Sequence, residues 1–110
     1  MTPNEYQVQA MRFLNPALSE RDILINGVMG LCGEAGEVID LVKKHLAQGH
    51  PLDRTALAGE LGDVAWYLAE TAHVLGFTLE DILQGNLDKL QARYPEGFST
   101  EHSLHRPDGK

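Results

Sequence analysis

Residues 22–48 read DILINGVMGLCGEAGEVIDLVKKHLAQ, and the reading of this stretch decides the fold. Ile23, Val28, Leu31, Ala35, Val38, Ile39 and Val42 recur at the spacing of one face of an α-helix. Gly49 follows the last periodic residue and Pro51 lies just beyond, a pattern that stops helices. Two features are odd for such a helix. Gly30, Gly33 and Gly36 each cost roughly 1 kcal/mol relative to alanine at an exposed helical position. Glu34 and Glu37 place two like charges on one face, where they repel.

Helical patterning continues on both sides. Upstream, Thr2-Pro3-Asn4-Glu5 forms a capping box with proline at the first helical position. Tyr6, Ala10, Phe13 and Leu14 follow at helical spacing until Asn15-Pro16 ends the helix. Downstream, Asp53 caps a third helix bearing Leu57, Leu61, Val64, Ala65, Leu68, Ala72 and Leu75, which closes at Gly76. Thr78-Leu79-Glu80-Asp81 opens a fourth that ends before Pro95. No alternating β-branched run is present. The expectation is an all-α, four-helix bundle-type domain over residues 1–98, with a polar, mobile tail over 99–110. At 110 residues the chain is short enough for dimerisation to complete its core.

Composition narrows the function. The chain is 43% hydrophobic, which excludes a disordered composition, and carries a formal net charge of -7. That balance disfavours binding to a nucleic acid polymer, where Lys and Arg must neutralise phosphates, and to an anionic membrane surface. No apolar run is long enough to span a bilayer. The first residues lack a basic segment followed by an apolar one, so a cytoplasmic location is expected. Cys32 has no partner for an intrachain disulfide, and its apolar helical setting suggests a small buried thiol.

The third helix repeats the acidic spacing of the second: Glu34-x-x-Glu37 is followed by Glu60-x-x-Asp63. On helices packed antiparallel, the two pairs face one another. Four converging carboxylates need a counter-charge, and hard divalent cations that favour oxygen ligands supply it. Gly33, Gly36, Gly59 and Gly62 each precede one of these acids, and small residues there are expected to let the backbones approach and leave room for metal. A solvated acidic face is the alternative, although a surface helix gains nothing from glycine.

With these residues in view, GEAGEVIDLVKK and ELGDVAWYLAETAHVLGFTLEDILQGNLDKLQARYPEGF together resemble the MazG-like, all-α nucleoside triphosphate pyrophosphohydrolases. The motif pair is Glu34-x-x-Glu37, 22 intervening residues, then Glu60-x-x-Asp63. The resemblance implies hydrolysis of a nucleoside triphosphate at the α–β bond to the monophosphate and pyrophosphate, often as nucleotide-pool house-cleaning. It implies Mg²⁺ held by Glu34, Glu37, Glu60 and Asp63, and Mn²⁺ should substitute because both ions accept oxygen ligands. It implies a homodimer or homotetramer. It also implies Asn86 and Lys89 near the substrate phosphates, with Arg93 on the same side of the fourth helix. Metal-assisted hydrolysis would use Glu34 or Glu37 to position water and accept its proton, with Lys89 stabilising charge on phosphate oxygens. The alternatives are a narrow-specificity dUTPase-like enzyme and a non-catalytic nucleotide- or metal-binding helical module.

Lys43 and Lys44 read as a solvated pair. Trp66 and Tyr67 fit packing or an interface better than a base pocket. His102 and His105 lack the further ligands a transition-metal site needs.

Overall fold

A computed structural model describes residues 1–107 and 109. The chain is all-α, with five helices rather than four and no strand among the described residues. They are α1 (Pro3–Ala10), α2 (Glu20–Gln48), α3 (Arg54–Val74), α4 (Leu79–Arg93) and α5 (Thr100–Leu104). A 3₁₀ turn, Met11–Phe13, follows α1. The chain divides into two compact units, Met1–Leu79 and Glu80–Lys110.

Local chemistry sets the helix ends. Thr2 and Glu5 form the expected reciprocal capping box. The Ser19 hydroxyl accepts from the Asp22 amide, so α2 begins two residues before the start expected from its apolar pattern. Gly49 ends α2 with a φ of 73°, and the Gly49 and His50 amides both donate to the Lys44 carbonyl. Asp53 caps α3 through the Ala56 amide at 2.9 Å. Patterning places no helix after Ser99, but its hydroxyl accepts from the His102 amide and starts α5.

In the first unit α2 and α3 pack antiparallel and α1 packs on α3. Glycine decides how closely α2 and α3 approach. A methyl group on Gly30 would fall inside the Tyr67 ring, and one on Gly27 would meet the Thr71 hydroxyl. Two further anchors hold α1. The Trp66 indole donates to the Ala10 carbonyl at 3.0 Å. The buried Gln7 amide donates to the Ala69 and Phe77 carbonyls, and its oxygen accepts from the Leu79 amide.

The aliphatic core is small: Ala10, Ala69, Ala72 and Leu79 are the buried hydrophobic residues among those described. The apolar face expected for α2 divides in two. Ile23, Leu31, Val38 and Val42 are half-buried, whereas Val28, Ala35 and Ile39 are exposed. Cys32 is exposed too, because it lies on the α2 side turned away from α3; the buried-thiol reading is corrected. Phe13 is also left 80% exposed, since the 3₁₀ turn breaks the helical phase that would have carried it inward.

In the second unit, the Tyr94 and Phe98 rings lie 5.4 Å apart, and the Arg93 guanidinium sits 5.8 Å from the centre of the Tyr94 ring. Tyr94 bonds to Ser103, and that bond, with Arg106 and Arg93 nearby, lowers its pKa below the ordinary tyrosine value of 10.0.

Candidate active site

Antiparallel packing brings the α2 motif against the α3 motif. Glu34, Glu60 and Asp63 each offer a carboxylate oxygen, and these oxygens all lie within 4.8 Å of one another. Glu34 and Glu60 are half-buried and Asp63 is exposed, so the cluster is open to solvent on one side. Glu34 carries the electrostatic cost. Its hydrogen bond with Glu60, its partial desolvation, and the charges of Asp63, Glu60 and Glu37 raise its pKa above the ordinary carboxylate value of 4.5. Close carboxylates share a proton or a cation rather than remain fully ionised.

Glu37 stands outside this closest group. It is exposed one turn along α2, and it acts on Glu34 as the weakest of the charges named above. The four-acid set is therefore three acids with oxygens within 4.8 Å of one another and a fourth beside them. Lys43 and Lys44 turn to Asp40, at 3.6 and 2.9 Å. The hydrogen bond from Lys44 holds the Asp40 carboxyl below its usual range and raises Lys44 in return. These exposed pairs leave neither lysine committed to the acidic cluster.

The glycines beside the acids do not act as expected within one chain. A methyl group on Gly33, Gly36, Gly59 or Gly62 would meet nothing within 4 Å. Close approach of α2 to α3 depends instead on Gly27 and Gly30, two turns and one turn from Glu34 respectively.

Asn86, Lys89 and Arg93 lie on α4 in the second unit, with Asn86 and Lys89 exposed and Arg93 half-buried. Asp88, a candidate ion-pair partner for Lys89, accepts from Gln84 at 3.0 Å.

Sequence patterning missed two features. Tyr6 belongs to the apolar face of α1, yet burial and then the charge of Asp63 raise its pKa. Glu70 is fully buried on α3 and bonded to Asn26 of α2. The available signal was its position seven residues after Asp63, two turns along the same face, within an otherwise apolar run.

The donor set suits a hard divalent cation: its ligands are oxygens, convergent and solvent-accessible, and the charges that act on Glu34 among the described residues are all acidic. Residues 26–98 match the MazG nucleotide pyrophosphohydrolase domain. The chain belongs to this family. The matched segment contains both acidic motifs and the α4 segment from Asn86 to Arg93. The chain is also similar to the Gene 37 protein of Mycobacterium phage L5, 45% identical over 73 residues. That match covers 63% of this chain and 64% of the phage protein. No solved structure matches. Among the described residues no helix is long and apolar enough to cross a membrane.

Proposed function

We propose that this MazG-family protein hydrolyses a nucleoside triphosphate between the α and β phosphates, giving the monophosphate and pyrophosphate, and that it does so with Mg²⁺. The observation that carries the reading is the convergence of Glu34, Glu60 and Asp63 within 4.8 Å, with Glu34 bearing a raised pKa. Glu34, Glu60 and Asp63 would hold the metal, with Glu37 available as a fourth ligand or as the base. Bound Mg²⁺ supplies charge neutralisation for the phosphates and lowers the pKa of water.

The protein's own residues do the rest. Glu34 and Glu37, on successive turns of one rigid helix, orient the attacking water, and one of them takes its proton. The two carboxylates stand in different surroundings: Glu34 is half-buried against Glu60 and Glu37 is exposed. Asn86, Lys89 and Arg93 are assigned to the phosphates on the strength of the family resemblance of NLDKLQARYPEGF and of their chemistry as amide and cationic donors. House-cleaning of the nucleotide pool follows as the cellular role.

A homodimer or larger assembly belongs to the same reading. Ile25, Val28, Met29, Ile39 and Leu46 form an exposed stripe along α2, with Leu46 76% and Ile39 67% accessible. Apolar side chains at helical spacing on one face match a second amphipathic surface, and a core of three alanines and a leucine leaves an isolated chain short of apolar burial.

The test is product identity. The purified protein is incubated with each standard NTP and dNTP and with oxidised or deaminated analogues, with Mg²⁺ or with chelator, and products are resolved by anion exchange. Pyrophosphate plus monophosphate from at least one nucleotide, only with Mg²⁺, is expected. Orthophosphate as the first product would overturn the assigned bond. Nucleotide binding without any product would favour the non-catalytic module.

A further inference from the structure

Two turns from the acidic cluster, α2 and α3 share a polar contact that the catalytic reading does not use. Glu70 is the largest fully buried side chain among the described residues, at 0% exposure. Its partner is the Asn26 amide, whose nitrogen donates to both carboxylate oxygens, at 3.0 and 2.9 Å. A buried carboxylate held by one neutral donor loses much of its solvation if that donor moves. The contact is therefore steep in displacement along the helix axis, whereas apolar contacts tolerate sliding.

The neighbouring contacts lie in the same register. Gly27 meets Thr71, Gly30 meets Tyr67, and Glu34 meets Asp63. Steps of three or four residues along α2 are matched by steps of four back along α3. A slip of one turn would set Tyr67 opposite Glu34 and Thr71 opposite Gly30, and would disperse the three carboxylates. Asn26 lies eight residues from Glu34, about 12 Å along the helix axis. A rigid helix transmits register over that length.

We propose that the bond from the exposed Asn26 to the buried Glu70 is a positioning lock that sets the register of α2 against α3 and so holds Glu34 in convergence with Glu60 and Asp63. The pair touches neither metal nor substrate; it acts through Glu34. Polar contacts at a helix–helix seam set register in coiled coils, and this part-buried contact acts in the same way. The consequence for metal binding rests on the metal-site reading above, but the register itself does not.

The experiment uses the full chain and Mn²⁺ alone as probe, followed by electron paramagnetic resonance, with circular dichroism confirming helicity. Asn26→Asp sets two carboxylates against each other. Asn26→Asp combined with Glu70→Gln restores one donor and one acceptor with their places exchanged. Glu70→Leu keeps the space filled without an acceptor and serves if Asn26→Asp does not fold. Mn²⁺ affinity is expected to fall about 10–100-fold in either single variant, as when supporting partners of metal ligands are lost, and to recover in the exchanged pair. A second readout needs no metal. Glu34→Cys and Asp63→Cys, in a Cys32→Ser background, are cross-linked with dibromobimane. Cross-linking is expected to slow when Asn26→Asp or Glu70→Leu is added and to recover in the exchanged pair. Folded single variants that bind Mn²⁺ and cross-link like their parents, while melting at lower temperature, would reduce the pair to a stabilising contact and overturn the lock. Register-dependent cross-linking in a protein that binds no Mn²⁺ would uphold the lock and remove the metal reading.

Discussion

Gly30→Ala and Gly33→Ala make the same chemical change on one helix, three residues apart, and should move stability in opposite directions. Each replaces glycine in a helix interior, which by propensity alone favours folding by about 0.5–1 kcal/mol. Gly33 faces open space, so its variant should keep that gain. At Gly30 the added methyl group collides with the Tyr67 ring. Overpacking of this kind costs about 1–3 kcal/mol. The displaced ring also gives up its edge-on contact with Trp66, whose ring centre lies 5.1 Å away at 90°. Such ring pairs add about 0.5–1.5 kcal/mol. The net for Gly30→Ala is a loss of roughly 1–3 kcal/mol, and the two variants should differ by about 2–4 kcal/mol. Urea denaturation with chelator, at one fixed protein concentration, reads this as midpoint shifts of opposite sign at unchanged slope. A loss for Gly33→Ala equal to that of Gly30→Ala would refute the reasoning, since it would mean that a second chain packs on Gly33.

Asp63→Asn should raise the melting temperature of the metal-free protein at neutral pH. It removes one of the charges that raise Glu34, whose penalty is absent below about pH 4.5 and grows as pH climbs through the raised value, so the advantage should vanish in acid. Added Mg²⁺ should shrink or reverse it, because wild type alone gains full ligand-linked stability; a mutant less stable than wild type in chelator at pH 7 would contradict this. Lys89→Ala should slow turnover about 10²–10³-fold with the fold and Mn²⁺ binding intact, as for loss of one electrostatic donor; unchanged turnover would place Lys89 on a solvated face. Ile39→Asp and Leu46→Asp should shift sedimentation from dimer toward monomer, and wild type that sediments as a monomer at micromolar concentration would contradict the apolar-stripe argument.

The parts of the structure governed by local rules were legible in the residues. Thr2, Asp53 and Gly49 act at helix ends as their chemistry requires, and α4 stops before Pro95. Within the acidic motifs, helical spacing correctly set Glu34 against Glu60 and Asp63 once α2 and α3 packed antiparallel. What the residues did not disclose depends on which neighbour each side chain meets. Gly33 and Gly36 looked like the close-packing glycines because they flank the acids, but the tight contacts fall at Gly27 and Gly30, where Thr71 and Tyr67 arrive from α3. Cys32 and Ile39 sit in an apolar pattern wider than one neighbouring helix covers, so periodicity alone could not tell which part faces α3. Glu70 carries no sequence signal of its pairing, because only the α2–α3 register reveals Asn26 as its partner.

The proposed function requires three carboxylates, Glu34, Glu60 and Asp63, to act together as a metal-binding catalytic centre. The most direct test measures Mn²⁺ binding and pyrophosphate release on the same preparations of wild type and Glu34→Gln, with helicity checked by circular dichroism. Glu34 bonds Glu60 and feels Asp63, so its replacement by a neutral amide should weaken Mn²⁺ binding and abolish pyrophosphate release together in a fully helical protein. A Glu34→Gln protein that still binds Mn²⁺ like wild type and still releases pyrophosphate would contradict the account.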